Sequence, residues 1–227
     1  MGKINFGITP LTDQCENIYK EKEHVCIGIS PYNSLFSEEY ISQLISWCME
    51  NFEDFHLFLP DEPTMYTLKS LGYSDEKCKK KLKKQINWLK NKIKKALLQN
   101  GIELEKHSEY LLDWQRLVKN PVFKSELDNV YLLYKSNDEF KENCLQASKW
   151  VLLNKVCEDD LTSSCLETAV NYFLCELPLF AATSRIVGKK SSIFCYHQSI
   201  DFHKKLYDRK MSYVPHDKQG YGVINFQ

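Results

Sequence analysis

Hydrophobic positions fall into short solid runs in the first quarter of the chain and into long periodic stripes thereafter. Residues 24–29 (HVCIGI) are almost unbroken apolar sequence closed by Ser30-Pro31, the pattern of a buried strand feeding a turn. Ser37, Glu38 and Glu39 then open an amphipathic helix whose Tyr40, Ile41, Leu44, Ile45 and Cys48 share one face. Residues 55–59 read as a second strand closed by Pro60, and 61–71 as a helix stopped at Gly72. Strand, helix, strand, helix predicts a parallel sheet with right-handed crossovers. The next helix starts near Ser74, with Asp75 and Glu76 in its first turn. Its Leu82, Ile86, Leu89, Ile93 and Leu97 form a single apolar stripe at spacings of four, three, four and four. Gly101 ends it, and 102–105 predict a short third strand. Residues 110–155 are mostly helical with an interruption at Asn120-Pro121. Residues 162–180 form another helix with Pro178 near its end, and 192–196 (SIFCY) a late strand. Residues 206–227 show little periodicity and predict a loosely packed tail. There is no internal repeat and no Gly/Ser linker. The chain reads as one α/β domain over residues 1–227, with its core at about 24–205.

Composition adds mainly exclusions. At 227 residues with 43 % apolar side chains, the chain can bury a sizeable core. No apolar run approaches a membrane span, and the first fifteen residues lack the uninterrupted core of a signal peptide, so the expected location is cytoplasmic. The nine cysteines never form a CxxC pair and the six histidines show no HExxH or other paired spacing. This pattern reads as reduced thiols packed as small hydrophobes and predicts no metal. Net charge is zero, but the charge is segregated. Lys77, Lys79, Lys80, Lys81, Lys83, Lys84, Lys90, Lys92, Lys94 and Lys95 follow one another with no intervening acid, leaving minus ten for the rest of the chain. Like charges four apart destabilise a helix. A phosphate backbone would offset that repulsion, so the helix reads as a polyanion site that uses shape and phosphate contacts.

Three further segments carry candidate chemistry. Ser30 follows a buried strand directly, where open α/β sheets place reactive groups, with Gly28 keeping backbone bulk low and Asn33 able to donate into the same crevice. The hydrolase pattern G-x-S-x-G fails because Tyr32 occupies its last glycine, and on local sequence alone Ser30 reads first as a turn cap. In 172–180 (YFLCELPLF), Tyr172 and Glu176 lie four apart on one helix face. Glu176 stands among apolar residues, where a carboxylate needs a partner: a substrate ammonium group or an internal cation. Tyr196, His197 and Gln198 end the late strand with groups suited to proton relay or simply to strand-end hydrogen bonds.

Taken together, HVCIGISPYNSLFSEEYI, the Leu71-Gly72-Tyr73 turn, LKNKIKKAL, AVNYFLCELPLF and SSIFCYHQ resemble the cyclodipeptide synthases over roughly residues 24–205. That family is similar to the catalytic core of class I tyrosyl- and tryptophanyl-tRNA synthetases, without their ATP chemistry. In keeping with this, residues 24–27 are not a HIGH motif, Lys210-Met211-Ser212 is only a fragment of KMSKS, and there is no P-loop. The resemblance implies a Rossmann-like domain with a parallel sheet flanked by helices, and an enzyme that uses two aminoacyl-tRNAs, no cofactor and no ATP. It implies Ser30 as nucleophile, with Tyr172 and Glu176 holding the aminoacyl amino group. Asn33, Tyr196 and His197 imply the Asn/Tyr/His-type subfamily. Cys26, Gly28, Leu179 and Phe194 are implied to line the first side-chain pocket, Asn154 and Lys155 to lie near the second substrate, and the lysine helix to bind tRNA. Two other readings stay open: a different aminoacyl-tRNA-dependent transferase, and a non-catalytic tRNA-binding module, which has no use for Ser30, Tyr172, Glu176 and Tyr196 together.

Overall fold

The computed structural model describes residues 4–155 and 161–226; Cys157, one of the nine cysteines, lies outside them. The elements in chain order are β1 (Phe6–Pro10), α1 (Asp13–Glu21), β2 (His24–Gly28), α2 (Glu38–Asn51), β3 (Asp54–Phe58), α3 (Thr64–Ser70), α4 (Asp75–Gln99), a 3-10 turn (Leu104–Lys106), α5 (His107–Tyr110), β4 (Leu111–Leu112), α6 (Trp114–Leu117), α7 (Pro121–Ser136), α8 (Asp138–Leu153), α9 (Ser163–Val187), β5 (Ser192–Tyr196), α10 (Asp201–Tyr207) and β6 (Gln219–Phe226). Side-chain caps set several helix starts. The Ser37 hydroxyl accepts from the Tyr40 amide at 3.1 Å, and Asn120 caps α7 with Pro121 in its first turn, where a missing N–H costs nothing.

The sheet runs β1-β6-β5-β2-β3-β4. Strands β4, β3, β2, β5 and β6 are parallel neighbours, and β1 closes one edge antiparallel to β6. From β2 the chain steps outward through β3 and β4, then returns to the other flank of β2 as β5. The reversal of strand order therefore lies between β2 and β5, and ligands of open α/β sheets bind at the carboxyl ends of such strands. Helices cover both faces. On one, the α4 stripe packs with α2 residues Ile41, Leu44, Ile45 and Cys48; on the other, α7, α8, α9 and α10 build an aromatic-rich core.

Three expectations need correction. Residues 102–105 are not a strand. The strand after β3 is β4, two residues long, inside a stretch that reads as helical because two residues give no alternation to detect. The predicted loose tail instead holds the end of α10 and all of β6, and β6 lies in the sheet interior with Gln219, Tyr221 and Ile224 buried. Its strand signal is masked by Gly220 and Gly222; at Gly222 the Ile8 side chain already occupies the space that a Cβ would take. Strand β1 is likewise illegible in sequence, since its partner is the last strand of the chain.

The helix expected over 162–180 continues to Val187 with a break at Ala182. There the Ser184 amide donates to Gln219 Oε1 at 3.0 Å, the Tyr207 hydroxyl donates to the Phe180 carbonyl, and the His216 amide donates to the Ala181 carbonyl at 2.9 Å. The C-terminal segment thus supplies partners that a regular helix would supply itself. At the amino edge of the sheet, buried His24 bridges Ser192 at 2.7 Å and His56 at 2.9 Å, and Arg116 reaches His56 at 3.4 Å. A guanidinium only donates, so every ring proton in this chain of bonds points from Arg116 towards Ser192, tying β3, β2 and β5 together.

Candidate active site

At the carboxyl ends of β2 and β5, the switch point opens into a cavity of about 480 Å³, in the range of small-molecule sites. Ser30 enters from the turn after β2. Its hydroxyl donates to the Pro31 carbonyl at 3.3 Å and lies close enough to the phenols of both Tyr172 on α9 and Tyr196 at the end of β5 to influence their pKa values. Tyr172 neighbours Glu176, and Tyr196 neighbours Asn33. Asn33 Oδ1 accepts from the Leu35 amide at 3.0 Å, which fixes the side chain and aims Nδ2 at His197 Nε2, 3.4 Å away. With Nε2 accepting, the neutral His197 ring carries its proton on Nδ1, which is buried without a partner among the described residues.

Enclosure dominates the electrostatics. Burial pushes Glu176 up to about 8, partly opposed by the neighbouring Tyr172 phenol. Burial raises Tyr172 well above the usual phenol range, helped by the neighbouring Glu176 charge, and pushes Tyr196 up to about 12. His197 is lowered, again by burial. Both phenols therefore stay protonated at neutral pH, and the cavity walls disfavour the Glu176 charge until a cation enters. Among the described lining residues Glu176 is the one carboxyl, and Lys155, at the rim, is the one lysine or arginine.

The cavity gathers Gly28, Ser30, Asn33, Asn154, Lys155, Tyr172, Glu176, Phe194, Tyr196 and His197. Cys26 and Leu179 do not border it. Cys26 sits beside Phe194 in the sheet register, one step deeper than Gly28 on the same face, and both Cys26 and Leu179 are fully buried behind the wall. Sequence reasoning missed Phe180, Phe173 and Ala169, which line the cavity from the helix face that carries Tyr172 and Glu176. Phe180 follows Glu176 by four residues, so helical spacing alone is sufficient to find it. It also missed Tyr32, Thr64, Thr67, Trp150, His203 and Tyr221, whose elements converge only in the fold.

The ten lysines divide into two groups. Lys77, Lys79, Lys80, Lys81, Lys83, Lys84 and Lys94 stand exposed along α4. Lys90 instead bridges Asp61 at 2.9 Å and Asp113 at 2.8 Å, Lys92 donates to the Phe36 carbonyl at 3.0 Å over the Trp88 ring, and Lys95 pairs with Glu38 at 3.3 Å. Among the described residues no cluster of three or more His, Cys, Asp or Glu side chains is suited to hold a metal ion, and no helix is long and apolar enough to cross a membrane.

Fold and site together define an α/β enzyme with a mostly parallel sheet flanked by helices, whose polar groups converge at the switch point. The cyclodipeptide synthase family model matches residues 6–226, so the chain belongs to the cyclodipeptide synthases. The chain is 28 % identical to a cyclo(L-leucyl-L-leucyl) synthase of Staphylococcus haemolyticus, over 97 % of this chain and 94 % of that protein. It is 32 % identical to a cyclodipeptide synthase of Bacillus thermoamylovorans, with a TM-score of 0.87 over 97 % of this chain and 96 % of that one. A Mycobacterium tuberculosis protein, whose structure demonstrates that cyclodipeptide synthetases are related to type I tRNA synthetases, shares the fold at 24 % identity and a TM-score of 0.87, covering 100 % of this chain and 96 % of that one.

Proposed function

We propose that this cyclodipeptide synthase draws both residues of its product from aminoacyl-tRNAs and carries them on Ser30, without ATP. One arrangement supports this reading above all: a serine that shares one cavity with two protonated phenols and with an enclosed carboxyl that no described cationic side chain neutralises. An aminoacyl ester carries a reactive carbonyl and an ammonium group two bonds away, and these would meet Ser30 and the Tyr172–Glu176 pair.

An aminoacyl ester is already activated, so exchanging it onto Ser30 is nearly balanced and needs mainly positioning. The Ser30 oxygen attacks the carbonyl, the ribose oxygen leaves, and the serine proton passes to that oxygen, aided by the neighbouring ribose hydroxyl. The freed α-amine of the seryl ester then attacks the second aminoacyl ester, expelling the second tRNA and leaving a dipeptide on Ser30. The dipeptide amine attacks the seryl ester carbonyl, closing the six-membered ring and returning the proton to Ser30. Tyr196, beside Asn33, stands where it can pass that proton, and His197 braces Asn33. Asn154 and Lys155, at the rim, face the second substrate, and the exposed α4 lysines meet the tRNA backbone.

The test uses intact-protein mass spectrometry with pre-charged tRNA and no ATP. Wild type is expected to gain the mass of one aminoacyl group and release a diketopiperazine, and Ser30→Ala to do neither while remaining folded. An aminoacyl adduct on Ser30→Ala, or product formed only when ATP and free amino acid are supplied, would refute the reading.

A further inference from the structure

At the mouth of the cavity lies an aromatic strip that the covalent chemistry does not use. Tyr32 stands two residues past Ser30, lines the same cavity, is 43 % exposed and holds a φ of 65°. A bulky residue in the left-handed region is an outlier that asks for a reason, and such outliers cluster at binding sites. Tyr73, in the turn before α4, is exposed too, with the Lys81 ammonium 4.8 Å from its ring centre. Burial raises the Tyr32 phenol, and Cys78 and Tyr73, at the start of the lysine helix, add to the shift, which sets the ring on that side of the site. Ser30 and Tyr32 thus share the cavity, and Tyr73 and Lys81 stand where the basic face begins.

The aminoacyl ester of a charged tRNA sits on the ribose of its 3′-terminal adenosine, so that base has to lie one sugar away from Ser30. Residues two apart are at most about 7 Å apart along the chain, which puts Tyr32 in that zone. The acceptor end is single-stranded. Proteins hold single strands without reading sequence by combining a basic track with aromatic faces for bases to stack on. We propose that Tyr32 is the stacking platform for the 3′-terminal adenine, and that Tyr73 and Lys81 carry the adjoining nucleotide towards the exposed α4 lysines. This rests on the aminoacyl-tRNA reading above. It also gives the left-handed backbone a purpose: the turn keeps the ring at the surface instead of letting it collapse into the core.

The experiment uses charged tRNA whose terminal adenine is replaced by 2-aminopurine, a fluorophore quenched by stacking. It compares wild type, Tyr32→Phe, Tyr32→Gly and Tyr32→Asn; glycine and asparagine both tolerate the backbone at this position, so either reports if the other fails to fold. Wild type and Tyr32→Phe are expected to quench the probe. Tyr32→Gly and Tyr32→Asn are expected to lose the quenching and to raise KM for aminoacyl-tRNA about ten- to a hundredfold, with a smaller change in kcat. Quenching and KM unchanged in Tyr32→Gly and Tyr32→Asn would overturn the platform, as would an equal KM rise in Tyr32→Phe, which retains the ring. Failure of wild type to make product from charged tRNA would overturn the tRNA reading itself, a result separable from both.

Discussion

A Cβ on Gly28 would stand 3.1 Å from Cδ2 of Tyr196, tighter than side chains ordinarily approach, and 3.2 Å from Cζ of Phe194. The last residue of β2 is therefore bare so that the β5 tyrosine can close over Ser30. Gly28→Ala forces both rings outward by a few tenths of an ångström. Overpacking of this kind costs about 1–3 kcal/mol. Here it should appear as a fall in turnover of about tenfold with a lowered melting temperature. Kinetics and calorimetry of the single variant check it, and wild-type turnover would mean that the rings yield freely.

Glu176 gives a pH signature. Its pKa is raised by burial from the ordinary carboxylate value of 4.5 to about 8, so between these pH values the folded chain holds a proton that the unfolded chain has released. Stability from this group is thus full below about 4.5 and lost as pH rises to about 8. The melting temperature of Glu176→Gln, measured against wild type, should gain steadily over that window and level off above it. The same change removes the charge that would pair with a substrate ammonium, worth about 1.5–3 kcal/mol, so turnover should drop about ten- to a hundredfold.

The two groups of lysines should separate experimentally. Charge reversal at Lys79, Lys80, Lys83 and Lys84 is expected to weaken tRNA binding. It should also flatten the slope of log K against log salt, by roughly 0.7 to 0.9 for each phosphate no longer neutralised. Lys90→Ala strands Asp61 and Asp113 beside one another, so it should lower the melting temperature and leave the salt slope as it was. Binding measured at several salt concentrations tests both, and identical slopes for wild type and the quadruple variant would return that face to a merely solvated one.

Acid should unfold the protein through its buried histidines. Burial lowers His24 and His203 to about 3 and His56 to about 4 from an ordinary value of 6.5. Each is depressed, so its contribution is complete above about 6.5 and disappears as pH falls towards 3–4. Near pH 5 these three together should make unfolding take up about three protons. His203→Phe keeps a ring against Tyr221, which His203 stacks upon at 4.4 Å, and should reduce that uptake by about one in urea titrations run at several pH values.

The strands β2, β3 and β5 are legible in sequence because each is buried and bounded by turn residues, and the α4 stripe because its apolar spacing is unbroken. Ser30, Tyr172, Glu176 and Tyr196 each have a second plausible reading in isolation. Only the strand order that sets β5 beside β2 brings them to one cavity. Cys26 and Leu179 show the opposite limit: apolar residues next to site residues in sequence stand behind the wall, because one pleat or a fraction of a helical turn decides which atoms meet the ligand. In sequence Tyr32 reads only as the residue that spoils a hydrolase motif, since backbone handedness is not written in composition.

Strand β6 follows every other described element in sequence and yet lies between β1 and β5, with Phe6 facing Phe226 in the register. A chain leaving the ribosome must therefore keep β1 waiting without its partner, and β5 with one edge open, until residues 219–226 emerge. Pairings between the two ends of a chain form late and slowly, and exposed strand edges in the interval invite aggregation. The break in α9 that sets Phe180 against the cavity depends on the same late residues, through Gln219. Residues 219–226 thus act as a completion check: a chain broken off before them has an unfinished sheet and an unshaped cavity, and is not simply a slower enzyme.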